Sequence, residues 1–337
     1  NIVSKYKKGY IMEDLKYWYK NIQDIISLID SCIIEGDSEF ITLKHLAKKL
    51  GYSEYYCSRK FSEIAGMPFR KYLYYRKLSF ALKELRDNNT KIIDVALKYG
   101  FSSPEAFSRA FKKAYGIRPS DYRRNPIPVV LQTILKPFDC YLTEGVMEQV
   151  ESKSDVLVYF VRIPAHKFLH IRNYNSVGYW DFWQKQSSIP GQDCETICGL
   201  LDSIKGKLDD NDGAGNNASS GQLMAWINAP EGRICSWGIP LAEAYGVRLP
   251  VNYSGPIPPN MQMMDVAEGE YIVFEHGPFD IATESQSVEK KIESAMKSFD
   301  YEKSGYTLDM KEERVFYFFH DPNRFWKYIR PVTKIKS

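Results

Sequence analysis

"DVALKYGFSSPEAFSRAFKKAYGIRPSDYR", residues 94–123, holds two glycines, a Ser-Pro pair and two phenylalanines four apart. This grammar predicts a helix, a glycine-bearing turn and a second helix. Gly100 suits the left-handed backbone that ends a helix. Ser103 is an N-cap, and Pro104 follows at the first helical position, where its missing N–H costs nothing. Phe107, Phe111 and Ala114 then share one face, which must be buried. Glu105, Ser108, Arg109 and Lys112 occupy the opposite face and are offered to solvent or to a partner.

A counterpart lies upstream in "TLKHLAKKLGYSEYYCSRKFSEIAGMPFRKYLYYRK", residues 42–77. Fifty residues separate Ser53 from Ser103, Arg59 from Arg109, Phe61 from Phe111, Gly66 from Gly116 and Tyr72 from Tyr122. Gly51 and Gly100 are forty-nine apart, so the second turn is one residue longer. Between the copies, "FRKYLYYRKLSFALKEL" predicts one continuous helix. Two recognition helices held apart by such a rod would enter successive major grooves on one face of DNA, about 34 Å apart. Upstream again, Leu15, Ile22, Ile25, Ile26, Ile29 and Ile33 recur at helical spacing, which predicts a further helix over 13–35.

The chain has 337 residues, enough for two or three domains, and a net charge of +3. That charge is unevenly divided. Residues 1–136 carry 25 Lys+Arg against 14 Asp+Glu, and residues 137–337 carry 20 against 28. A basic part joined to an acidic part points to a polyanion-binding module attached to something with a different job. No run approaches eighteen apolar residues and no signal peptide opens the sequence, so the expected location is the cytoplasm, with no membrane partner. The six cysteines, Cys32, Cys57, Cys140, Cys194, Cys198 and Cys235, are too sparse for a disulfide framework and read as free thiols.

After "RRNPIPVV" (123–130) the texture changes. "VLVYFVRI", "GQLMAWIN", "GEYIVFEH" and "RVFYFFH" are short β-branched or aromatic runs that predict strands. "SVGYWDFWQKQ" and "ESQSVEKKIESAMKSF" predict helices. The second part is therefore α+β. It also looks duplicated, because residues 159–185 and 265–292 both read as strand, strand, helix. Residues 207–222, "KLDDNDGAGNNASSGQ", read as a surface loop, since a calcium loop beginning at Asp209 would need glycine where Ala214 stands. Five of the six tryptophans follow residue 137 (Trp180, Trp183, Trp226, Trp237 and Trp326), and such density suggests a binding site as well as a core.

The paired motifs, L-A-x-x-x-G-x-S-x-x-x-x-x-R-x-F and then G-F-x-S-x-x-x-F-x-R-x-F-K-x-x-x-G-x-x-P-x-x-Y-R, resemble the DNA-binding domain of AraC/XylS-type transcription regulators over residues 40–124. That resemblance implies a first recognition helix presenting Tyr55, Ser58 and Arg59, and a second presenting Pro104, Glu105, Ser108 and Arg109. Arginine suits bidentate guanine readout and Glu105 suits cytosine, while Lys60 and Lys112 are assigned to phosphates. The order of "CGLLDSIKG", "FEHGPF" and the closing "FFHDP…IRPV" resembles the GyrI-like effector-binding domain over residues 155–335. Together they resemble Rob-type regulators.

The expected architecture is thus multi-domain. A helical extension (1–36) precedes an all-α domain with two helix-turn-helix units (37–125). A linker and domain entry (126–154) then leads to an α+β GyrI-like domain of two β-α-β type repeats (155–337). The resemblance implies a cleft for a small aromatic or amphipathic molecule, here assigned to Tyr174, Trp180, Trp183, Trp226, Trp237, Glu275, Phe316, Phe318 and Trp326. The sequence departs from the family where two glutamates are replaced by Phe316 and Lys327. Glu275 remains as the candidate anion, and a neutral or anionic aromatic ligand enters consideration. Hydrolytic relatives need a titratable group where Phe316 stands, so the expectation is a regulator and not an enzyme. The alternative is a GyrI-like ligand-sequestering or hydrolytic protein localised by its DNA-binding domain. His166 and His170 have zinc-like spacing, but they lie in a strand-like segment without a suitably spaced cysteine pair, so no metal and no cofactor are expected. The expected partners are double-stranded DNA, a small-molecule effector and RNA polymerase.

Overall fold

The computed structural model describes residues 2–36, 42–87, 89–135, 137, 156–208, 221–235, 239–280, 282–321 and 325–335. They fall into two compact units, Asn1–Val146 and Met147–Ser337. Trp237 and most of the loop read at 207–222 lie outside the described residues.

The first unit is helical: α1 (Ile2–Glu35), α2 (Leu43–Leu50), α3 (Glu54–Ala65), α4 (Phe69–Asp87), α5 (Ile92–Lys98), α6 (Pro104–Tyr115) and α7 (Pro119–Arg124). Its turns form where the sequence places its caps. Ser53 Oγ accepts from Tyr56 N at 3.2 Å, and Ser103 Oγ accepts from Ala106 N at 3.1 Å. Each hydroxyl satisfies one of the orphan donors of a helix start. Gly51 and Gly100 have φ of +72° and +76°, a left-handed backbone that lets one helix stop and the next begin.

The 3.6-residue stripe of α1 buries Trp18, Ile22, Ile25, Ile26, Ile29 and Ile33 in one core with Phe61, Phe69, Tyr72, Phe107 and Phe111. This first helix is therefore part of the helix-turn-helix core. An ion pair fixes its register: Arg76 Nε donates to Asp30 Oδ1 at 2.8 Å, and a second guanidinium nitrogen donates to Asp30 Oδ2. The third nitrogen donates to Gln132 O at 2.5 Å. The chain past α7 is likewise held to this unit, through buried Val129 and Leu131.

The second unit contains β1 (Leu157–Ile163), β2 (His166–Asn173), α8 (Tyr179–Ser187), α9 (Cys194–Ser203), β3 (Gln222–Ile234), β4 (Pro240–Leu249), β5 (Gln262–Val266), β6 (Gly269–His276), α10 (Ser285–Ser298), α11 (Tyr301–Ser304), β7 (Tyr306–Leu308), β8 (Val315–Asp321) and β9 (Phe325–Lys334). The strands form one sheet in the order β1-β6-β9-β8-β3-β4-β2-β5, with β7 beside β9. Read backwards, this order maps onto itself if β1 exchanges with β5, β2 with β6, β3 with β8 and β4 with β9. The duplication seen in the sequence is thus a pseudo-two-fold fold. Its axis passes by the central pair Ala225 and Tyr317. Each half contributes its first strand to the far end of the other: β1 pairs with β6, and β5 pairs with β2.

Strand alternation separates two faces. One buries Phe168, Ala225, Tyr271, Val273, Tyr317 and Ile329 in a common core. On the other, α8 and α9 pack over Leu169, Ile171, Val247 and Leu249, while α10 packs over Ile272 and Phe274. Gly246 is required where β4 passes β2, because a Cβ there would lie 2.0 Å from Leu169 O.

Candidate nucleic-acid interface and candidate ligand site

In the first unit, α3 and α6 expose the side chains expected of recognition helices. Tyr55 is 78% exposed, whereas Tyr56 turns inward, with its ring 5.3 Å from that of Trp18. Ser58 and Lys60 are half-buried and Arg59 is exposed. Arg59 is steered by Glu63 at 3.3 Å and by the Tyr56 ring at 5.4 Å. Lys60 lies within reach of Glu63 and over the Trp18 ring, so it is partly committed inside the unit. On α6, Glu105, Arg109 and Lys112 are exposed, and Pro104 and Ser108 are half-buried. The Ser103 hydroxyl and the helix-start amide hold the Glu105 carboxyl below its usual range, with Arg109 adding to the effect. A concavity of about 290 Å³ between α6 and α7 is lined by Ser108, Arg109, Lys112 and Arg118. Three cations converging on one hollow suit a phosphate group.

The second unit gathers aromatic rings where the two helix-covered regions meet. Trp226 pairs with Phe316 across β3 and β8, and Phe318 pairs with Tyr328 across β8 and β9. The Trp226 and Tyr328 rings stack at 5.8 Å and 21°, and Phe318 lies 4.8 Å from Tyr328 and 5.4 Å from Trp326. Phe316 is 1% exposed at the base of this patch, while Trp226, Phe318 and Tyr328 are half-buried.

Beside Trp226 on β4 stands Glu243, a residue that sequence reasoning missed. It is 4% exposed. Its Oε1 accepts from Gly178 N at 2.7 Å and from Trp226 Nε1 at 3.3 Å. Its Oε2 is buried with no hydrogen-bond partner among the described residues. Under the pseudo-two-fold, Glu243 occupies the place that Tyr328 holds in the other half. A second carboxyl approaches from α10. Burial and the neighbouring Glu293 raise Glu289 above the usual carboxylate range, and the charge of Glu289 acts on the Tyr328 phenol.

The remaining expected ligand residues are dispersed. Trp183 is buried beneath α8, 4.9 Å from the Tyr245 ring, and Trp180 is half-buried on the same helix. Tyr174 follows β2, with the Arg172 guanidinium 5.9 Å over its ring. Glu275 lies on the opposite face of the sheet from Trp226. It pairs across the strands with Lys327, at 3.0 Å, and accepts from the Tyr159 hydroxyl at 2.5 Å. The reason is periodicity: its neighbours Phe274 and His276 take the patch side, which sends Glu275 to the other.

His166 and His170 point into the buried face of the sheet. His166 Nε2 meets the Tyr317 hydroxyl at 2.5 Å, and His170 Nδ1 meets Phe168 O at 3.0 Å. Burial lowers both imidazoles to about 4. Among the described residues no three ligating side chains come together.

A family model described as a helix-turn-helix domain matches residues 46–125. The HTH-type transcriptional activator AarP of Providencia stuartii is 38% identical over 112 residues, covering 32% of this chain and 83% of AarP. The chain belongs to the AraC family of transcription regulators. The AraC-family regulatory protein SoxS of Escherichia coli K12 is 36% identical over 104 residues, covering 31% of this chain and 94% of SoxS. Among solved structures, SAV2435 bound to tetraphenylphosphonium is 16% identical with a TM-score of 0.35, covering 52% of this chain and 94% of that one. As an AraC-family member, the chain is a DNA-binding transcription regulator, with an α+β unit beyond the part that it shares with AarP and SoxS. Among the described residues no helix is long and apolar enough to cross a membrane.

Proposed function

We propose that this regulator senses a small aromatic cation on the Trp226, Phe318 and Tyr328 patch of its second unit, and that the bound ligand alters its engagement of DNA. The observation that carries this reading is the buried, unpartnered Oε2 of Glu243 next to the Trp226 ring. Leaving such an atom without a partner costs about 1–3 kcal/mol. A cation held against it and against the ring faces offsets that cost, because both attractions strengthen away from water. Glu289, from α10, adds a second carboxyl on the Tyr328 side. The anionic character that Glu275 was expected to supply comes instead from these two residues, and this favours a cationic ligand over a neutral or anionic one.

On the DNA side, Arg59 and Arg109 read bases, with Tyr55, Ser58, Glu105 and Ser108 beside them, and Lys112 and Arg118 hold phosphate. The ligand shifts DNA affinity only to the extent that it binds the DNA-engaging arrangement more tightly. By analogy with AarP, which is named as an activator, RNA polymerase is the third partner, and the cytoplasm is the place of action.

The test uses the full chain, calorimetry and an operator selected from random duplexes. Tetraphenylphosphonium should raise the melting temperature and change operator affinity at least about fivefold, whereas neutral triphenylphosphine oxide should do neither. A response to the neutral compound alone, or to neither, overturns the reading.

A further inference from the structure

The thiols of Cys194 and Cys198 lie 3.7 Å apart on α9. Cys194 opens the helix, directly after its N-cap Asp193, whose carboxylate accepts from Thr196 N at 2.9 Å and from Thr196 Oγ1 at 2.7 Å. The four-residue spacing puts both sulfurs on one face of a well-capped helix. Both residues are half-buried at the edge of the core that α9 covers. Behind them, Cys198 Sγ lies 3.7 Å from the Tyr245 hydroxyl, which donates to Gln222 Oε1 at 3.2 Å. Gln222 closes the ring by donating to Cys198 O at 3.0 Å.

We propose that Cys194 and Cys198 form a dithiol site for a trivalent, monosubstituted arsenical, which binds by bridging the two sulfurs. Bite and ligand number both fit such a centre. Two bonds of about 2.3 Å, the length of a zinc–thiolate bond, span about 3.5–3.8 Å when they open at roughly 100–110°. The observed separation falls in that interval. A disulfide needs its sulfurs at about 2.05 Å, which demands a large closure on a regular helix. A structural metal would need three or four protein ligands, and no such group exists among the described residues. A centre that brings its own organic substituent needs only two sulfurs.

The step is a condensation without redox change. Each thiol passes its proton to one hydroxyl of RAs(OH)₂, two As–S bonds replace two As–O bonds, and two waters leave with arsenic still trivalent. The hydrogen bond shared with Cys198, together with burial, raises the Cys194 thiol above its usual range, so the proton that leaves with the arsenic hydroxyl as water is already on sulfur before binding. Binding removes the contact between Cys198 and Tyr245, whose ring touches Trp183 at 4.9 Å, so tryptophan fluorescence should report it. The proposal does not depend on the ligand reading of the aromatic patch.

The experiment adds phenylarsine oxide to the reduced full chain and follows intact mass, the count of thiols reactive to a disulfide reagent, and fluorescence. One equivalent should form a single adduct, mask two thiols, map to the peptide holding both residues and reverse with 2,3-dimercaptopropanol. Cys194→Ser and Cys198→Ser should each weaken binding at least about 100-fold, because the chelate's effective concentration is lost. Cys235→Ser should bind as the unsubstituted chain does. The idea is overturned by absence of an adduct, by an adduct mapped to another cysteine, or by undiminished binding in either serine variant. Mapping on the unsubstituted chain keeps the test decisive even if a variant folds poorly.

Discussion

Lys327 Nζ lies 3.0 Å from Glu275 Oε2, and this ion pair occupies the face of the sheet opposite Trp226. The lysine is 4% exposed and also lies 4.0 Å from the Phe325 ring centroid. The pair therefore belongs to the structure of the sheet, while Glu243 stands beside Trp226 on the other face. Removing one partner of a buried pair strands the other charge. Lys327→Met should destabilise the second unit by about 3 kcal/mol, yet leave affinity for tetraphenylphosphonium within twofold. Chemical denaturation and calorimetric titration measure the two effects separately.

On α3 and α6 the arginines should govern specificity and Lys112 should govern affinity. Arg59→Ala and Arg109→Ala should each weaken operator binding by about 1–3 kcal/mol and relax preference at particular base pairs. Lys112→Ala should weaken binding to all sequences alike and reduce the salt slope by about 1. Fluorescence anisotropy on operator and scrambled duplexes, over a range of salt, distinguishes these outcomes.

Acid should loosen the second unit. His166 and His170 are lowered by burial from 6.5 to about 4, with Arg248 beside the first and Arg172 beside the second adding to the effect. In the unfolded chain they take up protons near 6.5, so the stability they contribute is complete above that pH and is lost as pH falls toward 4. From pH 7 to pH 5 the loss should be about 2 kcal/mol for each histidine. Urea unfolding across that interval should show it, and the double substitution His166→Gln, His170→Gln should flatten the profile.

Cation affinity should rise with pH. Burial and Glu293 raise Glu289, so this carboxyl gains its charge later than an exposed one. Between pH 4.5 and pH 7 the affinity for tetraphenylphosphonium should increase by roughly threefold or more, and Glu289→Gln should remove most of that increase. Titration calorimetry at the two pH values measures it.

The DNA-binding unit was legible because its punctuation is local. Ser53, Ser103, Gly51 and Gly100 act on residues three to five away, and a fifty-residue repeat states the grammar twice. The duplication of the second unit was legible for the same reason. Its topology was not, since pairing β1 with β6 and β2 with β5 joins residues about a hundred apart in sequence. Glu243 escaped notice because β4 reads "PLAEAYGVRL", in which small residues alternate with larger ones. A glutamate in such a run suggests a solvent face, and only the cover of α8 and Trp226 makes it buried. The placement of Glu275 was available in principle, because period-two alternation sets it opposite Phe274 and His276.

The central claim is that Glu243 supplies the charge that recognises the ligand. Its most direct test is a titration of tetraphenylphosphonium into the full chain and into Glu243→Gln, an uncharged variant of nearly the same shape. The account predicts at least about a tenfold loss of affinity, with operator binding in the absence of ligand unchanged. Equal affinity in the two proteins would contradict it.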